Sequence, residues 1–384
     1  MKPQIDQAYA ACIGIDWADQ KHDICLQAAN AESREFSVLA HRPDTIEAWA
    51  LSLKQRFQGQ PIAVCLELTK GPLVYALQKY DFFVLFPVNP ATLAKYRQAF
   101  TPSHAKDDPS DARLQLELLM QHRDKLKALH PEGVEMRTLQ RLVEQRRSLV
   151  DDRVRVTNQL TYALKQYYPQ VLEWFKEKDT RVFCDFLSRW PTLKQARLAR
   201  NATLQTFFHK HNVRYSKVIE VRISAIKAST PLTNDVSVIL PHQLLVQALV
   251  QQLRALLDAI ECFDKQIVSF SQTLPDYVLF QSLPGAGPIY APRLLAAFGE
   301  QRERYHGADE IQKYAGIAPV TERSGKKCWI HWRLQCPKFL RQTFVEWAAE
   351  TIPQPEAMEA MRMRAMADVP PRSRRAGCFV GVCA

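Results

Sequence analysis

Four carboxylates in this chain have the types and spacing to handle a metal-assisted phosphate. Asp16 closes a short apolar run, Glu67 closes a second, and Asp108 and Asp111 follow a polar stretch where a helical pattern opens. The two apolar runs read as strands, the second buried on both faces, so acids at their ends converge on one sheet edge. A spacing of three sets Asp108 and Asp111 on adjacent turns of one helix face, and Pro109 suits a first helical position. Neighbouring carboxylates repel one another and stay ionised together around divalent cations. Two such ions, about 4 Å apart, are the geometry for in-line phosphoryl transfer. Singly, each acid has a plainer reading. Asp16 fits a strand-end turn, Asp111 a helix start favoured by the dipole, and Asp107 competes with Asp108 for the third position.

A second set of candidates lies near the C-terminus. The segment Ser282-Leu-Pro-Gly-Ala-Gly-Pro leads into a helical pattern over 291–298. Such a turn presents backbone N–H groups to a phosphate, and Gly285 and Gly287 would let a DNA backbone approach. An ordinary turn uses the same residues. Farther on, Ser324 sits with Gly325 in a short polar loop beside Arg323, Lys326 and Lys327. Flanking cations would stabilise a serine alkoxide and a pentavalent phosphorus transition state, although a basic Ser-Gly is also a common turn. There is no Walker A loop, no complete dinucleotide fingerprint and no CxxC pair.

The elements that must position these residues follow from periodicity. Residues 11–17, 23–27 and 35–39 read as strands, the first two joined as a hairpin. Helical spacing over 43–56, 71–80 and 90–98 alternates with apolar strands at 61–66 and 82–88, an α/β region with a mixed sheet. Residues 135–168 lack Pro and Gly and predict a long helix, with 243–270 returning antiparallel in a coiled-coil-like hairpin. Arg146, Arg147 and Arg153 stud the first of these, as nucleic-acid backbone contacts or as a solvated face. Gly and Pro cluster from 274 onward, marking a separate, mostly helical module. The expected division is 1–122, 123–273, 274–352 and a divergent, partly disordered tail at 353–384.

The 384 residues are of ordinary globular composition, with a formal net charge of +11. The first hundred residues are charge-balanced, and 101–200 and 301–384 each carry an excess of five positive charges. A basic surface of this kind suits a polyanionic partner. Nine scattered cysteines read as free thiols in a reducing compartment. No signal segment opens the chain, and 236–253 is too polar for a membrane span, so the expected location is the cytoplasm.

The ordered set Gly-Ile-Asp16, Glu67-x-Thr-x-Gly and Lys106-x-Asp108-x-x-Asp111-Ala resembles the DEDD transposases, the insertion-sequence one-hundred-ten family of recombinases. The sequence Pro-Gly-x-Gly, Tyr-x-Gly-x-x-Pro, Ser-Gly resembles the C-terminal domain of the same family. The resemblance runs to about residue 352. It implies an RNase H-like, RuvC-like N-terminal domain whose Asp16, Glu67, Asp108 and Asp111 hold Mg²⁺ or Mn²⁺, and a C-terminal transposase domain whose Ser324 is the nucleophile toward DNA. It also implies an element-encoded guide RNA and a homo-oligomer, a tetramer, with no membrane association. Two other readings use the same residues. One is a metal-dependent nuclease resembling a Holliday-junction resolvase, with no covalent step. The other is a decayed, non-catalytic nucleic-acid-binding copy, for which the irregular tail, read as frameshifted or truncated, argues.

Overall fold

The computed structural model describes residues 9–100, 108–325, 327–334 and 336–351. The tail, with the disorder expected for it, and Lys326 lie outside the described residues. The chain divides into two compact units at the Pro131–Glu132 junction.

The first unit is built on a five-stranded mixed sheet of order β3-β2-β1-β4-β5. Its strands are β1 (Ala11–Trp17), β2 (Lys21–Ala28), β3 (Glu35–Ala40), β4 (Ile62–Leu66) and β5 (Phe83–Pro87). β1, β2 and β3 pair antiparallel, and β4 and β5 run parallel to β1. The parallel strands need crossovers, supplied by α1 (Pro43–Arg56) and α2 (Pro72–Leu77). Every residue of β4 is buried because helices cover both sheet faces. One face carries Ile13, Ile15, Val64 and Leu66 against Ile46, Ala50 and Leu53 of α1 and Leu73 and Leu77 of α2. The other carries Cys12, Cys25, Ala63 and Cys65 against Ala112, Leu116 and Leu119 of α4 (Asp108–His122), which follows α3 (Pro90–Phe100).

The second unit is organised by two long helices, α5 (Val134–Tyr167) and, later in the chain, Val236–Ser271. Between them lie α6 (Val171–Trp174), α7 (Arg181–Arg189), α8 (Leu193–Leu198), α9 (Asn201–Lys210) and α10 (Ser216–Ala228), so Val236–Ser271 is α11. α5 and α11 pack antiparallel. The start of α5 (Met136, Leu139, Val143) shares a core with Ile267, and its end (Leu160, Leu164) shares one with Val246, Leu249 and Leu253. α11 begins seven residues earlier than periodicity predicts and runs through Pro241. Asp235 caps it by accepting from Ser237 N–H at 2.8 Å, so the proline falls in an exposed opening stretch where one lost backbone bond is tolerated. By length and mean hydropathy α11 alone among the described helices could cross a membrane; one face is buried on α5, and Leu240, Leu244 and Leu245 are exposed.

The segment from 274 on is packed into this same unit. α12 (Tyr277–Gln281), α13 (Gly287–Phe298), α14 (Ala308–Ala315) and α15 (Lys338–Thr351) share their apolar core with the start of α5 and with Ile267. Between α14 and α15 stands a hairpin, β6 (Val320–Ser324) and β7 (Lys327–His331), exposed along nearly its whole length.

Candidate active site

The acid cavity of the first unit is set by strand register. Asp16 lies directly opposite Asp23 across the β1–β2 pair. Ile15 is level with Leu66, so Glu67, one residue past β4, comes beside Asp16. Side chains alternate along strands, so Asp16 shares the face of Cys12 and Gly14, the face α4 covers. Asp23, Asp16 and Glu67 therefore form a row across three adjacent strands. Gly14 permits the close approach of α4: a Cβ there would sit 2.0 Å from the Ala112 carbonyl oxygen and 2.6 Å from the Leu116 nitrogen. That approach brings Asp111 over the row.

The result is one cavity of about 370 Å³ lined by Asp16, Asp23, Glu67 and Asp111, with Trp17 at its edge and Pro90, Ala94 and Arg97 of α3 as another wall. Three of the four acids expected from the sequence thus share a cavity. Asp108 opens α4 one turn before Asp111, and its side chain lies outside the described residues. Asp111 keeps only 4% of its side chain exposed and is paired with Arg97, whose Nη2 donates to Oδ1 at 2.5 Å. Lys21 approaches Asp23 at 4.0 Å. Burial, reinforced by the Glu67 charge, pushes the Cys65 thiol up to about 12. Burial and the neighbouring His41 lower His22, beside Asp23, to about 4, so it is neutral at physiological pH.

Hard carboxylate oxygens in one cleft suit Mg²⁺ or Mn²⁺ in kind. Among the described residues, though, no three of His, Cys, Asp or Glu come close enough to hold one ion. Arg97 supplies Asp111 with its counter-charge instead. Neither Asp23 nor Arg97 is among the candidates that residue type and spacing single out. A hairpin turning at residues 19–20 pairs position 16 with 23, and that signal was present. Arg97 falls on the face of Pro90 and Ala94 by helical spacing, but nothing local aims it at an acid.

The C-terminal candidates are placed differently from expectation. Ser324 is not in a loop. It is the last residue of β6, paired with Lys327 across a two-residue turn, where Gly325 has φ +59°. A positive φ at the first turn position is what tight hairpins demand. Ser324, Arg323 and Lys327 are all exposed. Trp329 and Trp332 are about half exposed, whereas Trp347 donates to the Pro284 carbonyl at 2.8 Å. Gly285 and Gly287 have φ +68° and +48°, and the helix starts at Gly287, four residues before the predicted start. A Cβ on Gly285 would press on Thr351 at 2.9 Å, while Gly287 faces open space.

The arginines of α5 are engaged within the unit. Arg146 pairs with Asp264 of α11, Arg153 with Asp179 at 3.4 Å, and Arg147 with Asp151 at 3.1 Å and Glu346 at 3.0 Å. Arg293, buried on α13, donates to the other Glu346 oxygen at 2.7 Å.

This arrangement, a mixed sheet with an acid cavity followed by a helical unit carrying a Pro-Gly-x-Gly turn and a Ser-Gly hairpin, matches two family descriptions. Residues 13–169 match the DEDD transposases of the IS110 type, and residues 277–362 match the transposase IS116/IS110/IS902 family. Together these matches span more than half of the chain, and the chain belongs to the IS110 family of transposases. Among similar proteins is the "Mini-circle putative transposase for IS117" of Streptomyces coelicolor, 28% identical over 335 residues, covering 83% of this chain and 78% of that protein. The "Putative transposase y4uE" of Sinorhizobium fredii is 28% identical over 207 residues, covering 52% and 56% respectively. The "Insertion element IS116 uncharacterized 44.8 kDa protein" of Streptomyces clavuligerus is 27% identical over 234 residues, covering 60% and 57%.

Proposed function

We propose that the chain is a DNA recombinase of an insertion sequence, cutting and rejoining DNA by metal-dependent phosphoryl transfer with Ser324 as nucleophile. The observation that carries this reading is the register that sets Asp16 and Glu67 side by side, with Asp111 over them, in one cavity. The strand order, three antiparallel strands followed by two parallel ones, supports an RNase H-like assignment for the first unit. Asp16, Glu67, Asp108 and Asp111 would hold Mg²⁺ or Mn²⁺, which when bound offsets charge on the phosphate and the leaving oxygen.

Ser324 Oγ bonds to phosphorus as the bond from phosphorus to one deoxyribose oxygen breaks. The serine proton leaves to solvent or a nearby base, and the departing oxygen is protonated. A hydroxyl at another strand end then attacks the phosphoserine, restoring the serine and a phosphodiester. Bond types are conserved, so no nucleoside triphosphate is consumed. Arg323, Lys326 and Lys327 beside the serine, and the amides at Gly285 and Gly287, serve as phosphate contacts. An element-encoded RNA guides the choice of DNA, the protein works as a homo-oligomer, a tetramer, and it acts in the cytoplasm.

A hydrolytic reading is favoured by one observation: the described acids form their cavity wholly within the first unit. There, water would attack instead of Ser324. Covalent trapping separates the two. The protein is incubated with its element RNA, labelled element-junction and target DNA and Mg²⁺, then denatured. A labelled protein adduct that disappears in Ser324→Ala and in Asp16→Ala is the expected result. Cleavage without adduct, unchanged in Ser324→Ala, would replace this reading with the nuclease.

A further inference from the structure

Arg97 is the one cation among the described residues lining the acid cavity. Its guanidinium is largely buried, with 19% of the side chain exposed, and Asp111 is more buried still. Its Nε is buried and has no hydrogen-bond partner among the described residues, so the Nη2 bond to Asp111 uses only part of a five-donor fork. Arg97 also stands at the wall of the cavity, on the face of α3 shared with Pro90 and Ala94, whose short side chains leave room in front of it. A guanidinium held this way neutralises a carboxylate that would otherwise be buried uncompensated. It is also the group best shaped to grip a phosphate with two parallel bonds.

We propose that Arg97 is a phosphate-binding residue that exchanges partners: it holds Asp111 while the cavity is empty of DNA, and turns to a non-bridging oxygen of the DNA phosphate when the carboxylates engage a divalent cation. The proposal deepens the reading above and rests on it. A cation drawn to Asp111 competes with Arg97 for the same oxygens. Once displaced, the guanidinium stays in the cavity with its fork unfilled, and the phosphodiester is the anion that enters. Metal and DNA would therefore load cooperatively, since each removes the cost of the other's binding.

The roles of Arg97 as exchange partner and as mere brace for Asp111 predict opposite signs in metal binding. Isothermal calorimetry with Mn²⁺ alone, on the full chain, is run for the wild type, Asp16→Ala, Arg97→Gln and Arg97→Lys, alongside the cleavage assay. With the competing charge gone, Arg97→Gln should bind Mn²⁺ about fivefold or more tightly than wild type. Its DNA cleavage should fall about a hundredfold, because the phosphate loses its donor. Arg97→Lys, which keeps the charge but not the fork, should bind Mn²⁺ like wild type and recover part of the cleavage. Weaker or unchanged Mn²⁺ binding in a folded Arg97→Gln, checked by far-UV circular dichroism, overturns the proposal, as does full cleavage in that variant. If Arg97→Gln does not fold, Arg97→Lys decides: cleavage equal to wild type overturns the exchange. Mn²⁺ uptake that is the same in wild type and Asp16→Ala would instead remove the acid-cavity reading, and this proposal with it.

Discussion

At the residue scale, the proposed chemistry of the first unit depends on Asp16, Glu67 and Asp111, which line one cavity with Asp23. Asp16 faces Asp23 across a strand pair, and like charges placed opposite each other destabilise a sheet. Replacing Asp16 relieves that repulsion, so the variant should stay folded while losing activity. The expected outcome for Asp16→Ala and for Glu67→Gln is a single-turnover DNA cleavage rate at least about a hundredfold lower, with DNA binding retained in a gel-shift assay. A parallel loss of binding would reassign these acids to structure. Ser324 stands on an exposed hairpin end and is free of packing duties, so Ser324→Ala should leave the melting temperature unchanged.

At the element scale, the site exists because α4 lies directly on β1. Gly14 is the reason it can: any side chain there meets helix backbone, which cannot rotate away as a side-chain tip would. Gly14→Ala should destabilise the first unit by about 3 kcal/mol. It should also lift Asp111 from Asp16, so that Mn²⁺ uptake falls together with the urea midpoint. Retained uptake at wild-type stability would mean that α4 approaches β1 less closely. In the second unit, Glu346 ties α15 to both α5 and α13 through Arg147 and Arg293. Burial raises its carboxyl pKa, but the Arg293 hydrogen bond and charge, with Gln342 and Arg147, more than reverse this and hold it below the usual range. A depressed native pKa contributes stability that is complete above the unfolded value and is lost as pH falls through the native one. Glu346→Gln should cost about 2 kcal/mol at pH 7. The gap from wild type should narrow below about pH 4.5, read from urea midpoints across pH.

At the scale of the whole molecule, two units with separate cores should unfold as separately observable events. Burial pushes the thiols of Cys12 and Cys25 up to about 11 and that of Cys65 up to about 12, all in the first unit, and that of Cys184, in the second, to about 11. Cys262 and Cys328 are exposed. Alkylation followed by peptide mass spectrometry should label these last two in the native state. Along a urea gradient the first three should become labelled together, and Cys184 at a midpoint of its own. Coincident midpoints at all four sites would show that the units unfold as one. The net charge of +11 adds that nucleic-acid affinity should drop steeply with salt, as counterion release requires.

Much of the fold was legible beforehand. The strands of the sheet and the helix Pro43–Arg56 follow from alternation, apolar runs and a proline start, all local signals. Asp16, Glu67 and Asp111 stood out as candidates from their places at strand ends and a helix start together with the family resemblance. Local pattern missed what depends on partners distant in sequence. Ser324 reads as loop because polar, exposed strands carry no alternation to detect, and only pairing with Lys327 makes it a strand end. The arginines of α5 read from sequence as nucleic-acid backbone contacts or as a solvated face, and their ion-pair partners Asp264, Asp179 and Glu346 lie 118, 26 and 199 positions away. The same holds at the site itself. Sequence by itself determined the acids and the elements that carry them, because residue type and periodicity are properties of short stretches. Tertiary structure alone decided that α4 closes over the acid row and that Arg97 pairs with Asp111, because helix packing brings together side chains that no local spacing relates.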